Sequence, residues 1–555
     1  MSDKLFVIAI GGTGMRCLES FVHLCAIGMF DNQEIEAMVL DTDSNNGNLG
    51  RTGILIGLYN QIKSVNQQNI DGGRPNADTF FSAKINFYKF TTDYNQTPRS
   101  NFRNIAGLKG SSLGEEDDNQ ALADLFLDKN SVQEFNLAHG YRAQTHLGSL
   151  LMYHGIIEAA RKIRDVKPEE LSKAEKDLSK FLEKLTLSAE SARVFVFGSV
   201  FGGTGASSIP IIPTAFKDAV SILSNNKQTL DLSRTKFGST LLTEYFSFKR
   251  PNSEQMKVEK GVVADSSFFP LNSQAALQFY QNDPTVQKTY KRLYHVGWPL
   301  ESKSLSKASD TQNITGGQEQ KNDCHFVELM CACAAYDFFT LDDTQLTGTK
   351  AQYLFRILEC TNDTCFDVTS GNDLVGERGE IFTNKLAAFL SFAHLDLKAG
   401  TKAFLNTLKD KKITEYDNIA PDDQTCIEDY MKLFDYSVQD GKFIPGWICQ
   451  IKNSLGSGAF ILNPKAFPGM GQKGNIDFQE GIDKLIADER HHWDLSKGAG
   501  AFGMGKDPLN TLVYHMLNPE NKPKQEQKVN TVKETFLAHI YNAITVAQNF
   551  NEKKA

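Results

Sequence analysis

Two glycine-rich turns constrain the fold of this chain more than any other feature of its sequence. The first, GGTG at residues 11–14, follows the apolar run LFVIAI and precedes a helical pattern. The second, GGTG at residues 202–205, follows the run VFVFGSVF and precedes another helical pattern. Apolar runs rich in β-branched and aromatic residues are typical of buried strands. Each turn is therefore predicted to join a strand to a helix and to present bare backbone N–H groups, which bind phosphate oxygens at a helix N-terminus.

Strand and helix patterns alternate through the first part of the chain. The predicted strands are 5–10, 36–40, 193–198 and 238–245, and the predicted helices are 15–27, 144–163, 168–187, 209–223, 272–293, 325–339 and 531–550. This alternation predicts an α/β fold with an open, mostly parallel, Rossmann-like sheet. Beyond about residue 345 the strand and helix signals mix, and residues 456–505 are rich in glycine, so a second, α+β domain is predicted there.

Composition excludes several classes of protein. The 555 residues include 67 acidic and 59 basic side chains, a formal net charge of −8, which argues against a chain-wide nucleic-acid surface. No apolar run reaches about 18 residues, the length of a membrane span, and the N-terminus lacks a signal-peptide cleavage pattern. The nine cysteines are scattered without metal-ligand spacing, which favours free thiols, no metal site and a cytoplasmic location.

Neither turn completes a familiar nucleotide motif by itself. The first lacks the third glycine of a dinucleotide fingerprint, because Cys17 stands in that place, although Asp41 at the end of the second strand suits a ribose ligand. The second is not a Walker loop, since no Gly-Lys-Ser/Thr follows. A dinucleotide oxidoreductase does not need a second glycine turn on a different strand, whereas a triphosphate held between two turns does. A Rossmann oxidoreductase is kept as a further alternative.

The second turn resembles the signature loop G-G-G-T-G-[ST]-G of the tubulin/FtsZ superfamily. It keeps Gly-Gly-Thr-Gly and Pro210 but departs from the pattern at Phe201, Ala206 and Ser207. Other counterparts follow in family order: residues 7–14, residues 38–44, residues 140–148 (like G-x-G-A-N-P-E-V-G), and Phe268 with Asn272 (like F-x-x-x-N). The resemblance covers residues 1–340, without 45–138 and 296–320, and indicates a divergent prokaryotic tubulin-like protein.

The resemblance implies a site for GTP or GDP. It assigns the phosphates to Gly11, Gly12, Thr13, Gly14, Gly202, Gly203, Thr204, Gly205, Ala206 and Ser207. It assigns the γ-phosphate loop to Arg142, Ala143 and Gln144, and the base to Asn272 and Phe268. Three roles are open for Asp41 and Asp43: they hold Mg²⁺ through water, they bind a ribose, or they only stabilise the turn at the end of the strand. Arg142 either contacts phosphate or pairs with the acidic residues at 115–118.

Hydrolysis in this family requires an acidic loop from the next subunit, and the nearest match is Asp323, His325 and Glu328. In one interpretation Glu328 positions the attacking water, with His325 or Asp323; in the other, Asp323 caps a helix and Glu328 lies at the surface. The implied protein has a GTP-binding domain (1–271), a core helix with the acidic loop (272–345) and a C-terminal domain (346–555). It assembles head to tail into filaments and hydrolyses GTP slowly or at the interface.

The altered acidic loop keeps a second function open. In that alternative the protein is a nucleotide-binding scaffold or sensor that does not hydrolyse, for instance in a bacterial defence or plasmid-associated system. The C-terminal helix, residues 531–550, is a candidate contact for a partner protein in either case.

Overall fold

The computed structural model describes residues 4–43, 46–64, 73–92, 118–128, 145–247, 252–254, 265–298, 318–320, 322–357, 379–454, 508–524, 527 and 531–552. Within these residues, no helix is both long enough and apolar enough to cross a membrane.

A sheet of seven parallel strands forms the centre of the fold, so the chain has the predicted α/β class with a Rossmann-like sheet. The strands are β1 (Lys4–Ile10), β2 (Glu34–Asp41), β3 (Lys84–Thr91), β4 (Ala192–Phe197), β5 (Lys236–Leu242), β6 (Tyr290–Gly297) and β7 (Gln352–Ile357), in the order β3-β2-β1-β4-β5-β6-β7. Val7 of β1 lies opposite Ala37 on one side and Phe195 on the other. The strand order therefore reverses between β1 and β4, and ligands of open α/β sheets bind outside the carboxyl ends of the strands at such a point.

Helices cover both faces of the sheet. Those of residues 4–357 are α1 (Gly11–Ala26), α2 (Gly47–Ile62), α3 (Asp118–Phe126), α4 (Thr145–Asp165), α5 (Lys173–Leu187), α6 (Thr204–Ser208), α7 (Ile212–Leu223), α8 (Phe269–Asn282), α9 (Pro284–Thr289) and α10 (Phe326–Thr340). Alternate residues of β1 point to opposite faces. Leu5, Val7 and Ala9 join the hydrophobic core around α1, α2 and α10, while Phe6 and Ile8 join a second core with α4, α5 and α7.

The prediction of one long helix over residues 272–293 is wrong. α8 ends at Asn282, and Asp283 then caps the short helix α9 by accepting a hydrogen bond from the Val286 N–H at 2.8 Å. Pro284 stands at the first position of α9, where a helix does not need the N–H group that proline lacks. The same missing N–H group prevents α8 from continuing through this residue. The following residues, Tyr290–Gly297, form strand β6 instead.

Helix α10 lies in the interior of the described structure. Nearly all of its side chains are buried, which matches the apolar helix predicted at 325–339. Arg193 of β4 secures its C-terminal end, because Nη1 donates to the carbonyls of Phe338 and Phe339, each at 3.1 Å, and of Leu341 at 2.6 Å. These are the orphan carbonyls that any helix leaves at its last turn.

The C-terminal part of the described chain is mostly helical. It contains α11 (Gly379–Ala399), α12 (Thr401–Asp410), α13 (Pro421–Phe434), the hairpin β8 (Tyr436–Gln439) and β9 (Lys442–Pro445), α14 (Trp447–Ser454), α15 (Pro508–Leu517) and α16 (Val532–Glu552). These helices share the hydrophobic core of α1 and α2; for example, Trp447 Nε1 donates to Ser20 Oγ at 3.0 Å. The predicted terminal helix is confirmed, and the glycine-rich stretch 456–505 lies outside the described residues.

Candidate functional site

The two glycine turns face each other at the carboxyl edge of the sheet. β1 and β4 are adjacent and parallel, so the turns that follow them emerge side by side. Gly11 has φ +65°, and a Cβ placed on it would lie 3.2 Å from the Cβ of Thr204. The first turn is itself the first turn of α1, which begins at Gly11 rather than at residue 15. Its N-cap residue, Ile10, has no side chain that can satisfy the free N–H groups of the helix.

The glycines of the two turns serve different purposes. A Cβ on Gly14 would lie 2.6 Å from the Phe197 carbonyl oxygen, and one on Gly205 would lie 2.5 Å from the Ser199 carbonyl oxygen. These two glycines let a helix approach neighbouring backbone closely. A Cβ on Gly202, in contrast, would meet only the Ser199 hydroxyl at 3.4 Å. Gly202 is therefore a position where a ligand can approach bare backbone.

This division predicts that Gly14→Ala destabilises the fold. The new methyl group presses on the backbone of β4, which cannot move aside as a side chain can, so the free energy of unfolding should fall by about 1–3 kcal/mol. Urea denaturation followed by tryptophan fluorescence measures it. Gly50→Ala is the matched control: the position is exposed on α2 with nothing within 4 Å, and alanine there should stabilise the helix slightly. Equal stability of Gly14→Ala and the native protein would contradict the packing argument.

Three carboxamide side chains surround Gly12 at the start of α1. The position of its missing Cβ is 3.0 Å from Asn48 Nδ2, 3.2 Å from Asn46 Nδ2 and 3.1 Å from Gln320 Oε1. Asn46 caps α2, because its Oδ1 accepts from the Asn48 N–H at 3.0 Å. Asn48 is 2% exposed, and neither its Nδ2 nor its Oδ1 has a hydrogen-bond partner in the described structure. A buried amide without partners costs about 1–3 kcal/mol, so a ligand, an ion or a water is expected to pair with it.

These carboxamides escaped the sequence-based prediction. The only local signal was the polar stretch SNNGN after β2, and asparagines there are equally typical of a turn. Gln320 lies in a distant part of the chain, so only the fold shows that it reaches Gly12.

Asp41 and Asp43 lie at the end of β2 beside the carboxamides. Asp41 Oδ1 accepts from the N–H groups of Thr42 at 2.7 Å and Asp43 at 3.3 Å, and Oδ2 accepts from Asn46 Nδ2 at 3.1 Å. Burial raises the pKa of Asp41 to about 7 despite these bonds. Both carboxylate oxygens are thus engaged locally, as expected of turn chemistry.

The second turn leads into the short helix α6. Gly202, Gly203 and Thr204 are half-buried, and Ala206 and Ser207 are buried behind them. Ser207 Oγ donates to the Thr204 carbonyl at 3.0 Å, which holds the turn in shape. The part of the second turn accessible to a ligand is therefore its first three residues.

The structure brings one of the two predicted base-binding residues to the second turn. Asn272 Nδ2 donates to the Phe201 carbonyl at 3.3 Å, so Asn272 lies beside the glycines. Phe268 is 55% exposed and points to solvent. The residues predicted for the γ-phosphate lie outside the described residues: Arg142, Ala143 and Gln144.

Within the predicted acidic loop, Glu328 is fully buried and His325 is half-buried, while Asp323 is exposed. His325, not Asp323, is the N-cap of α10: its Nδ1 accepts from the Val327 N–H at 3.3 Å, while Glu328 Oε2 accepts from the His325 N–H at 2.9 Å. Burial, with the charge of Arg16, lowers the pKa of His325 to about 3, so the ring is neutral and can accept this bond. The alternative with Asp323 as the cap and Glu328 at the surface is therefore wrong.

Glu328 is the centre of a buried polar network. Its side chain is fully buried, and Oε1 lies 2.6 Å from Arg16 Nε and accepts from the Tyr245 hydroxyl at 2.6 Å. Burial raises the pKa of Glu328 although Arg16 is adjacent. Asp323 is exposed, but its backbone carbonyl accepts from Arg16. A carboxylate held in this way does not reach a neighbouring molecule in the present conformation.

No protein-family model, curated protein or solved structure matches this chain. Fold and site geometry thus define its class: an α/β protein with a seven-stranded parallel sheet and two facing glycine turns at the reversal of strand order.

Proposed function

We propose that this protein binds the phosphate groups of a nucleoside triphosphate, with GTP as the first candidate, between its two glycine turns. The observation that carries the proposal is the approach of Gly11 to Thr204, which brings two separate glycine turns together at the place where open α/β sheets bind ligands. The resemblance to tubulin-like proteins, in which two such loops share one triphosphate, supports GTP over other nucleotides.

The chemistry of the site suits phosphate oxygens. The free N–H groups of the first turn of α1 and the dipole of this 16-residue helix favour an anion beside Gly12. Asn48 Nδ2, buried and without a partner, would donate to a phosphate oxygen there. Both carboxylate oxygens of Asp41 already accept hydrogen bonds, from the N–H groups of Thr42 and Asp43 and from Asn46 Nδ2. Mg²⁺ held through water stays a prediction of the resemblance.

Binding without hydrolysis is the second candidate, and the burial of Glu328 favours it. The family resemblance places the water-positioning acid at the contact between subunits, yet Glu328 is fully buried and paired with Arg16. Head-to-tail assembly and interface-activated GTP hydrolysis stay predictions of the resemblance. Release of phosphate that rises steeply with protein concentration would support hydrolysis at the interface, and bound GTP that stays intact would support the scaffold or sensor.

The experiment that tests the proposal identifies the nucleotide on the purified protein. Protein is denatured after gentle purification, and the released small molecules are analysed by mass spectrometry. Recovery of GTP or GDP, and binding of added GTP by calorimetry, is the expected result. A nicotinamide or flavin dinucleotide would favour the oxidoreductase alternative, and absence of both recovered nucleotide and GTP binding would refute the proposal. Sedimentation and electron microscopy with a non-hydrolysable GTP analogue test assembly separately.

Gly202→Ala should weaken GTP binding without unfolding the protein. Its methyl group meets only the Ser199 hydroxyl, so the fold tolerates it, but it holds a phosphate away from the backbone N–H groups. Losing one such hydrogen bond to a charged group predicts an affinity lower by about tenfold or more. Titration calorimetry measures the affinity, and Gly50→Ala serves again as the control. Native affinity in a folded Gly202→Ala protein would remove the second turn from the site.

A further inference from the structure

A short segment lies across the start of both α1 and α2. Residues 318–320 and 322–324, called the strap here, precede α10. A Cβ on Gly47, the first residue of α2, would lie 2.3 Å from the Gln318 carbonyl oxygen and 2.8 Å from the Gln320 carbonyl oxygen. The strap backbone therefore rests directly on Gly47. From there Gln320 extends its side chain to within 3.1 Å of the missing Cβ of Gly12.

The two ends of the strap are held differently. Residues 322–324 are fastened: Arg51 Nη1 donates to the Asn322 carbonyl at 2.8 Å, Arg16 donates to the Asp323 carbonyl, and the Cys324 N–H donates to Gln450 Oε1 at 2.9 Å. Within the described part of the chain, no hydrogen bond or ion pair holds residues 318–320. Among the described residues, residues 318–320 thus lie against the site by packing alone, whereas residues 322–324 are hydrogen-bonded to α1, α2 and α14.

Gln320 occupies the position where the helix favours an anion. Its Oε1 is a partly negative oxygen placed at the N-terminus of α1, beside the unpartnered amide of buried Asn48. A phosphate oxygen arriving at Gly12 needs the same space and the same electrostatic environment. Glu319 and Asp323, both exposed, add two acidic side chains to the strap.

We propose that the strap is a built-in competitor of the phosphate ligand, and that Gln320 must leave Gly12 before the ligand binds. This inference rests on the proposed function, since it concerns regulation of the same site. Anything that lifts residues 318–320 strengthens ligand binding, and anything that makes residue 320 a better anion weakens it. The fastened end links this control to α14, because Gln450 of that helix holds Cys324.

Three variants test the strap against N-methylanthraniloyl-GTP. Gln320→Ala removes the competing oxygen, and Gly47→Ala pushes the strap backbone away without touching Gly12. Both should raise the affinity about threefold or more, whereas Gln320→Glu, which puts a full negative charge at the helix N-terminus, should lower it about tenfold. Gly50→Ala, one turn along α2 with open space around it, should leave affinity unchanged. General destabilisation of the protein cannot raise the affinity for the probe in one Gln320 variant and lower it in the other.

A second measurement separates the strap from the proposed function. Hydrogen exchange of the Gly12 and Thr13 amides, without nucleotide, should be faster in Gln320→Ala than in the native protein. If no variant binds the probe but exchange accelerates, the proposed function fails and the strap stands. Unchanged exchange would overturn the strap, and so would a Gln320→Ala protein that binds the probe no better than the native one.

Discussion

Glu328→Gln should lower the free energy of unfolding by about 3–5 kcal/mol, the usual cost of removing one partner from a buried ion pair. Glutamine keeps the shape of the side chain but leaves the Arg16 guanidinium without a counter-charge in the interior. Arg16 is 5% exposed and Glu328 is fully buried, so water cannot replace the lost carboxylate. Urea denaturation at neutral pH, followed by tryptophan fluorescence and circular dichroism, measures the loss.

The expected loss is large because three elements depend on the same carboxylate. Glu328 Oε1 accepts from the Tyr245 hydroxyl next to β5 and lies against Arg16 of α1, while Oε2 accepts from the His325 N–H at the start of α10. A neutral amide would offer one acceptor and one donor, whereas Arg16 Nε on one side and the His325 N–H on the other can only donate. One buried N–H or O–H would then lose its acceptor, which costs free energy beyond the lost charge.

Two further variants make the result interpretable. Glu158→Gln removes the partner of Arg161 in an exposed ion pair on α4 and should change stability by less than about 1 kcal/mol. Arg16→Met combined with Glu328→Gln removes both charges but keeps an amide that can bond both the His325 N–H and the Tyr245 hydroxyl, so it should cost less than Glu328→Gln alone. If Glu328→Gln kept native stability yet abolished GTP hydrolysis, Glu328 would instead act on water, as the family resemblance implies.

The central strands could be predicted from sequence because their surroundings leave a strong signal. β1, β2, β4 and β5 are buried on both faces and therefore read as apolar runs. β3 and β7, the outer strands of the sheet, mix charged and aromatic residues and escaped prediction. The sequence of β6 is compatible with the end of a helix as well as with a strand, because a short segment such as YKRLYHVG fits either periodicity. The helix break at Asp283 and Pro284 is what separates β6 from α8.

The glycine turns of the candidate site could be predicted from the sequence, but the carboxamides around them could not. Glycine turns after apolar strands are visible locally, and the adjacency of β1 and β4 makes them converge. Asn48 and Gln320 were not visible, because their roles depend on contacts between segments far apart in the chain. The sequence predicts a helix start at Asp323–Glu328, but no local pattern reveals that Glu328 is buried against Arg16 and Tyr245 or that Cys324 is bonded to α14.

A buried carboxyl group in the C-terminal helices gives the second large prediction. Asp396 of α11 is fully buried; its Oδ2 accepts from Thr401 Oγ1 at 2.8 Å, and its Oδ1 has no partner in the described structure. Burial raises its pKa to about 7; Thr401 and Lys432 oppose the rise, and Glu428 adds to it. The folded protein thus holds a proton on Asp396 that the unfolded chain releases at much lower pH.

The sign of the pH dependence follows from this difference. Between pH 4 and 7 the folded state binds more protons at Asp396 than the unfolded state, so stability falls as pH rises through this range. Raising the pKa from 3.8 to about 7 corresponds to a loss of about 4 kcal/mol at most. Asp41 and Asp435 also have pKa values raised to about 7 by burial, so the native profile alone does not isolate Asp396.

Asp396→Asn isolates it, because asparagine stays neutral at every pH. The stability advantage of the variant over the native protein should be smallest near pH 4 and larger by about 2–4 kcal/mol at pH 8, where the native carboxylate is charged and buried. Urea denaturation of both proteins at half-unit pH intervals measures the difference, which should grow with pH and level off above 7. Asp410→Asn, at an exposed position on α12, should show no such growth. A pH-independent difference for Asp396→Asn would mean that Asp396 ionises normally in the folded protein.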